Sequence, residues 1–247
     1  MTSRSTLFLL VLALPALAPP AAAQPDPDAL LSAWARAQAA VGGVVVLDEA
    51  LVRRVEGPRG AVRVETESTV RLEAGARPRR TVGHALLDGE RISAERAEDF
   101  GRRMGRAFGP GGREVAGAPA AAVFFLRRAR ATGIAADRLD GDRVWRVDLR
   151  PPPPRGDRPR RGRRGDRRRP PADRFTAWFS ADGARLLGLR VEGRRRGGRI
   201  AREVRYQRVD GLDVPRTASA EAMLRQRRRL RDYAVELSSE ATYTVAR

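Results

Sequence analysis

The stretch VRVETESTVRLE, residues 62–73, decides how the rest of the chain is read. Val62, Val64, Val70 and Leu72 stand at alternate positions, with Thr66 and Ser68 in the same phase. Arg63, Glu65, Glu67, Arg71 and Glu73 fill the other phase. Successive side chains of an extended chain point to opposite faces, so this segment has one apolar face and one charged face. Such a strand belongs in an antiparallel sheet with its apolar face on a core and its charged face in water.

The same period continues downstream. DGDRVWRVDLRP puts Trp145, Val147 and Leu149 on one face. RLLGLRVEG does so with Leu187, Leu189 and Val191, and GRIAREVRYQRVDG with Ile200, Val204 and Tyr206. In YAVELSSEATYTV, Tyr233, Val235, Leu237, Ala241, Tyr243 and Val245 face one way, against Glu236, Glu240, Thr242 and Thr244. Strands are also expected from Val44 and over Val82 to Leu87, with turns at Asp88-Gly89 and Asp182-Gly183. TASAEAMLRQRRRL carries both signals. Its composition favours a helix, whereas Ala218, Ala220, Ala222 and Leu224 keep period two. We read it as a strand.

Three helices interrupt the strands. Asp26-Pro27 is an N-cap followed by proline at the first helical position, with Leu30, Trp34, Ala37 and Val41 on one face before Gly42-Gly43. A second helix starts near Ser93 and aligns Ala97, Phe100, Met104 and Phe108, ending at Gly109-Pro110. A third is expected from Pro119, through Val123, Phe124 and Leu126, with Gly133 closing it. One-faced strands need a cover and striped helices need a floor, so the expected architecture is helices packed on one face of an antiparallel sheet.

Composition removes whole classes of function. The 247 residues hold no cysteine and one histidine, His84, so disulfides, thiolate nucleophiles and histidine-rich metal sites are excluded. Every basic residue is arginine, which leaves neither a P-loop lysine nor a Schiff base. No G-x-S-x-G turn accompanies His84. An enzyme is therefore not expected, nor is a cofactor or a metal.

The formal charge of +19 suggests anionic partners. Much of it is concentrated: residues 151–172 hold nine Arg against two Asp, contributing +7. This Pro/Arg stretch has no aromatic residue on which bases could stack, so nucleic acid is not the expected partner. It has no apolar side chain to offset its ordering entropy, and reads as a disordered loop inserted between two strands. Its Arg160, Arg161, Arg163, Arg164, Arg167, Arg168 and Arg169 are candidates for docking on an anionic membrane surface, lipopolysaccharide or acidic polymer.

Residues 1–23 read as a secretory signal: Arg4, an apolar run from Leu7 to Leu14, then Ala21-Ala22-Ala23 before Gln24. Residues 24–247 then form one mature domain, expected in the periplasm or outside the cell.

The phrases LDGDRVWRVDLRP, FTAWFSADGARLLGLRVEG and VRYQRVDGLDVPR resemble the superfamily of the periplasmic lipoprotein carrier LolA and the outer-membrane lipoprotein-sorting-like proteins. Asp140-Gly141, Pro151, Asp182-Gly183 and the Gly211 to Pro215 turn stand where those proteins place them, and the likeness covers about Leu139 to Tyr243. The family's strand-borne arginine after an R-P-G phrase has no counterpart; RPRRTVG, from Arg77 to Gly83, comes nearest, and no arginine is carried over from it. The resemblance implies a curved, unclosed half-barrel with helices over its concave face. It also implies a cavity between them for an apolar lipid or an acylated ligand. Trp34, Phe100, Phe124, Trp145, Leu189, Tyr206, Leu237 and Tyr243 are the candidate wall residues.

Overall fold

The computed structural model describes residues 24–58, 60–73, 78–107, 126, 129–150, 174–195, 198–228 and 231–246. In chain order the elements are α1 (Pro27–Ala40), β1 (Val44–Gly57), β2 (Gly60–Glu73), β3 (Arg79–Leu87), β4 (Glu90–Arg91), α2 (Ala94–Ala107), β5 (Arg130–Leu139), β6 (Asp142–Arg150), β7 (Arg174–Ser180), β8 (Leu186–Arg195), β9 (Gly198–Val209), β10 (Leu212–Arg228) and β11 (Arg231–Val245).

The eleven strands among the described residues join one unclosed antiparallel sheet in the order β4-β3-β2-β1-β11-β10-β9-β8-β7-β6-β5. Each strand except at the β1–β11 junction lies beside its sequence neighbour, as short connections favour. Three of the connections are two-residue Asp-Gly hairpins: Asp88-Gly89, Asp140-Gly141 and Asp210-Gly211. Both residues of each have positive φ, which the tightly twisted primed turn demands and which Asp tolerates and Gly accepts freely. Register slips at Glu67/Ser68, Ala131/Gly133, Trp178/Phe179 and Pro215/Thr217 bend the strands concerned.

The register sets one face throughout. A lateral row runs Ile134, Val147, Ala177, Leu189, Val204, Ala218, Ala241, Leu51, Thr66, Ala85 from β5 to β3. Nine of its ten residues are apolar, so this is the inner face. The strands β4 and β5 form opposite edges of the sheet, and the chain between them must cross its full width. Helix α2 lies in that crossing. Its Ala97 packs with Val64 and Ala85, and its Phe100 and Met104 with Ile200, Ala222, Leu224 and Leu237. Helix α1 and Leu126 cover the other half, on Val147, Phe175, Phe179, Leu189 and Tyr206.

Residues 216–228 are strand, as read from their period. Pairing with β9 on one side and β11 on the other outweighs the helix propensity of Ala, Glu and Met. Three details differ from expectation. The buried side of α1 is Leu30, Leu31, Trp34, Ala35 and Gln38, while Ala37 is exposed. Gln38 turns inward because its amide is consumed at the start of β10, which rotates the helix. Gly133 does not end a helix: it sits at a bulge inside β5, which pairs with β6 from Arg130 onward. Val245 is exposed despite its inward phase. The start of the third helix, with Phe124, and the whole 151–172 stretch lie outside the described residues, as do residues 1–23. Leu126 is described, in helical backbone and buried.

Candidate functional site

Helix α1 is fixed first. Asp26 caps it, accepting from the Asp28 and Ala29 amides. Trp34 then donates its indole N–H to Asp213 Oδ2 at 2.7 Å, and its ring meets Phe179 edge-on with centroids 5.8 Å apart. Gln38 closes the contact from both ends, donating to Gly211 O and accepting the Asp213 amide. Asp213 also accepts from the Leu186 amide and from Arg208 Nε. Both oxygens of this buried carboxylate are therefore in use, and its role is structural. It stands near Tyr206, whose phenol burial pushes up, with the Asp213 charge adding to the rise.

Fixing α1 in this way leaves a groove of about 470 Å³ along its far flank. The floor is Leu31, Ala35 and Leu126, and the rim carries Asp28, Ser32, Arg36, Ala39 and Ala129. The floor residues belong to the same packed core cluster as Trp34, Leu189 and Tyr206, so the groove is floored by the outer edge of that core.

A second, polar constellation lies on the β1–β3 half of the inner face. In β1, Glu49 and Arg53 fall in phase with Val45, Leu47, Leu51 and Val55. Glu49 is buried and uses both oxygens. Oε1 accepts from Tyr243 OH at 2.9 Å, and Oε2 accepts from Arg80 Nε. Arg80 also donates to Thr66 Oγ1 at 3.0 Å. Tyr243 is held well above its ordinary pKa by burial and by the Glu49 charge, so it is a neutral donor at physiological pH. Burial and the nearby Arg80 guanidinium push Arg53 down to about 10, which leaves it protonated at neutral pH. Its Nη1 is out of solvent contact and has no hydrogen-bond partner, and the same holds for Ser68 Oγ on the facing strand. Helix α2 stands over this patch: a Cβ on Gly101 would lie 3.1 Å from Arg53 Cζ.

The structure gathers the expected wall residues into separate groups. Trp34, Leu189 and Tyr206 share one cluster, with Trp145 packed at its edge and donating its indole N–H to Ala181 O. Leu237 and Phe100 meet under α2, and Tyr243 lies in a third cluster with Leu47 and Val214. Phe124 and the seven arginines from Arg160 to Arg169 lie outside the described residues. His84 is on the outer face opposite Glu67, in an exposed groove with Asp48, Thr69 and Thr242. Another outer-face hollow, lined by Arg146, Asp148, Arg190 and Glu192, balances its own charges through Arg190–Glu192 and Arg146–Asp148 pairs.

The residues that sequence reasoning passed over are Glu49, Arg53, Ser68 and Arg80. The signal was present in β1, where two charged residues occupy the apolar phase. It was masked because alternation was read chiefly from β2, whose inward phase shows only Thr66 and Ser68 as exceptions.

No protein-family model matches the chain, and no curated protein matches it. Among solved structures it is similar to an outer membrane lipoprotein-sorting protein domain from Vibrio parahaemolyticus, at 11% identity and a TM-score of 0.38 over 89% of this chain and 94% of that one. It is similar to a DUF1329 family protein from Desulfovibrio piger, at 11% identity and a TM-score of 0.34 over 90% and 95%. It is also similar to MucB in the Pseudomonas aeruginosa MucA/MucB complex, at 10% identity and a TM-score of 0.23 over 90% and 100%. At these identities and TM-scores, function is read from the chain's own residues.

Proposed function

We propose that the protein is a non-enzymatic binder or carrier of an apolar, acyl-type ligand, working in the compartment reached through a secretory signal. The observation that carries this reading is the groove of about 470 Å³ beside α1, floored by Leu31, Ala35 and Leu126, which are themselves part of the apolar core cluster. Its size falls in the range of about 300–1,000 Å³ typical of small-molecule sites, and an apolar floor with a polar rim suits an amphiphile. Each methylene seated there contributes about 0.8 kcal/mol, before ordering costs.

An environment-sensitive acyl probe tests it. The probe should bind the purified protein with nearly equal affinity at low and high salt, because apolar burial is insensitive to screening. Ala39→Trp, at the exposed rim, should fold normally and lose the probe by filling the groove. Absence of probe binding by the wild type would end the reading. Binding that collapses with salt would favour docking on an anionic surface through the Arg-rich 151–172 stretch instead.

A further inference from the structure

The polar patch under α2 has one carboxylate for two guanidiniums. Glu49 spends both oxygens on Arg80 and Tyr243, and Tyr243 stays neutral. Arg53 thus remains a half-buried cation whose Nη1, itself out of solvent contact, has no acceptor, with a buried hydroxyl, Ser68 Oγ, also unpartnered on the same patch. Sharing the charge of one carboxylate between two guanidiniums in a largely desolvated patch is costly, and a fold that served only to fill a core would place an apolar residue at position 53. Next to the patch lies a purely apolar core cluster that includes Met104, Leu224 and Leu237, with Val55 and Phe100 partly buried at its edge. Cation and apolar cluster stand under one helix, and α2 approaches the guanidinium this closely only because residue 101 lacks a side chain.

We propose that Arg53, assisted by Ser68 and Arg80, binds a single anionic group, a phosphate or a carboxylate, and that this group is the head of an amphiphile whose tail lies on the apolar cluster beneath α2. The anionic group accepts from Arg53 Nη1 and Ser68 Oγ and supplies the second negative charge that the patch lacks. The tail assignment rests on the carrier reading only in the apolar character of the ligand, since the cluster beneath α2 is separate from the groove beside α1; the anion site does not rest on it.

The test compares dodecyl phosphate, dodecanoate, dodecanol and inorganic phosphate as ligands of the full mature chain at matched ionic strength. Arg103→Gln, at an exposed arginine of α2, is the control for the general attraction of a basic protein. Wild type and Arg103→Gln should bind the two anionic amphiphiles about tenfold or more tightly than dodecanol, the worth of one charge-assisted contact. In Arg53→Gln that preference should collapse to about onefold. In Ser68→Ala, a smaller change that guards against misfolding of the first variant, it should fall a few-fold. The same preference in Arg53→Gln as in Arg103→Gln overturns the anion site, whether or not dodecanol binds. If no amphiphile binds but inorganic phosphate raises the thermal midpoint of the wild type and not of Arg53→Gln, the anion site stands and the carrier reading fails. If phosphate stabilises the two variants equally and no amphiphile binds, both fail.

Discussion

Trp34 and Asp213, 179 positions apart in sequence, are joined by a buried 2.7 Å hydrogen bond that seats the first helix on the start of β10. Asp213 simultaneously holds the Leu186 amide and Arg208, so one carboxylate organises α1, β8 and the β9–β10 hairpin. Removing one donor and removing the shared acceptor should differ in cost. Trp34→Phe leaves one lone pair unfilled and should cost about 1–3 kcal/mol, whereas Asp213→Ala strands several donors at once and should cost about 3–5 kcal/mol. Urea unfolding of both variants and of the double mutant measures this. Equal losses would mean that the carboxylate does not organise the junction.

That junction also marks the limit of what the sequence discloses. The alternation in residues 62–73 and 233–245 made the one-faced antiparallel sheet legible, because burial on one side imposes a period that survives in the residues themselves. The Asp-Gly pairs made the hairpins legible for a similar reason, since few residues accept positive φ in succession. The rotation of α1 was not legible. Gln38 reads as surface polar until its partners at Gly211 and Asp213 are known, and those are set by tertiary packing. The patch at Arg53 was half legible: the charge stood in the apolar phase of β1, but nothing local said that Glu49 would be shared between Arg80 and Tyr243.

Gly101 should behave as a spacer for that patch. In an exposed helix position, Gly→Ala stabilises by about 1 kcal/mol through propensity. Here the new methyl would stand 3.1 Å from the Arg53 guanidinium, so α2 or Arg53 must shift. Gly101→Ala should therefore gain nothing or lose stability in the wild type, yet recover the gain of about 1 kcal/mol in an Arg53→Ala background. Chemical unfolding across this cycle gives the coupling. A full gain from Gly101→Ala alone would show that α2 does not press on Arg53.

Strands β6 and β7 pair from Val144↔Ser180 to Leu149↔Phe175, so the chain leaves and re-enters the sheet at adjacent positions around the 151–172 stretch. With no apolar side chain to bury, that stretch should be dispensable for folding. Replacing it with a short Gly/Ser turn should change the thermal midpoint by less than about 5 °C, since halving a loop alters closure entropy by only about 0.6 kcal/mol. Trypsin should cut the wild type there first. A larger fall in midpoint, or first cleavage elsewhere, would show that the stretch packs on the body.

Alkaline pH should destabilise the protein through its buried phenols. Tyr206 and Tyr243 are both raised above the ordinary tyrosine value by burial, reinforced by Asp213 and Glu49 respectively. Below about pH 10 both are protonated in the folded and unfolded chain, and their contribution is fully present. Above it the unfolded chain releases these protons while the folded chain retains them, so stability falls by about 1.4 kcal/mol per pH unit for each tyrosine. Arg53 acts in the opposite sense. Its folded pKa is lowered to about 10, so above that pH the folded chain gives up a proton that the unfolded chain still holds, offsetting roughly one tyrosine. The net expectation is a loss of about 1.4 kcal/mol per pH unit above about pH 10. Tyr243→Phe should nearly abolish the slope, and Arg53→Gln should about double it. Urea unfolding at intervals from about pH 9 to about pH 11 reads all three slopes. Stability that rises over this window in the wild type, or slopes that the two substitutions leave unchanged, would remove Tyr243 and Arg53 from the buried patch in which their titration is here placed.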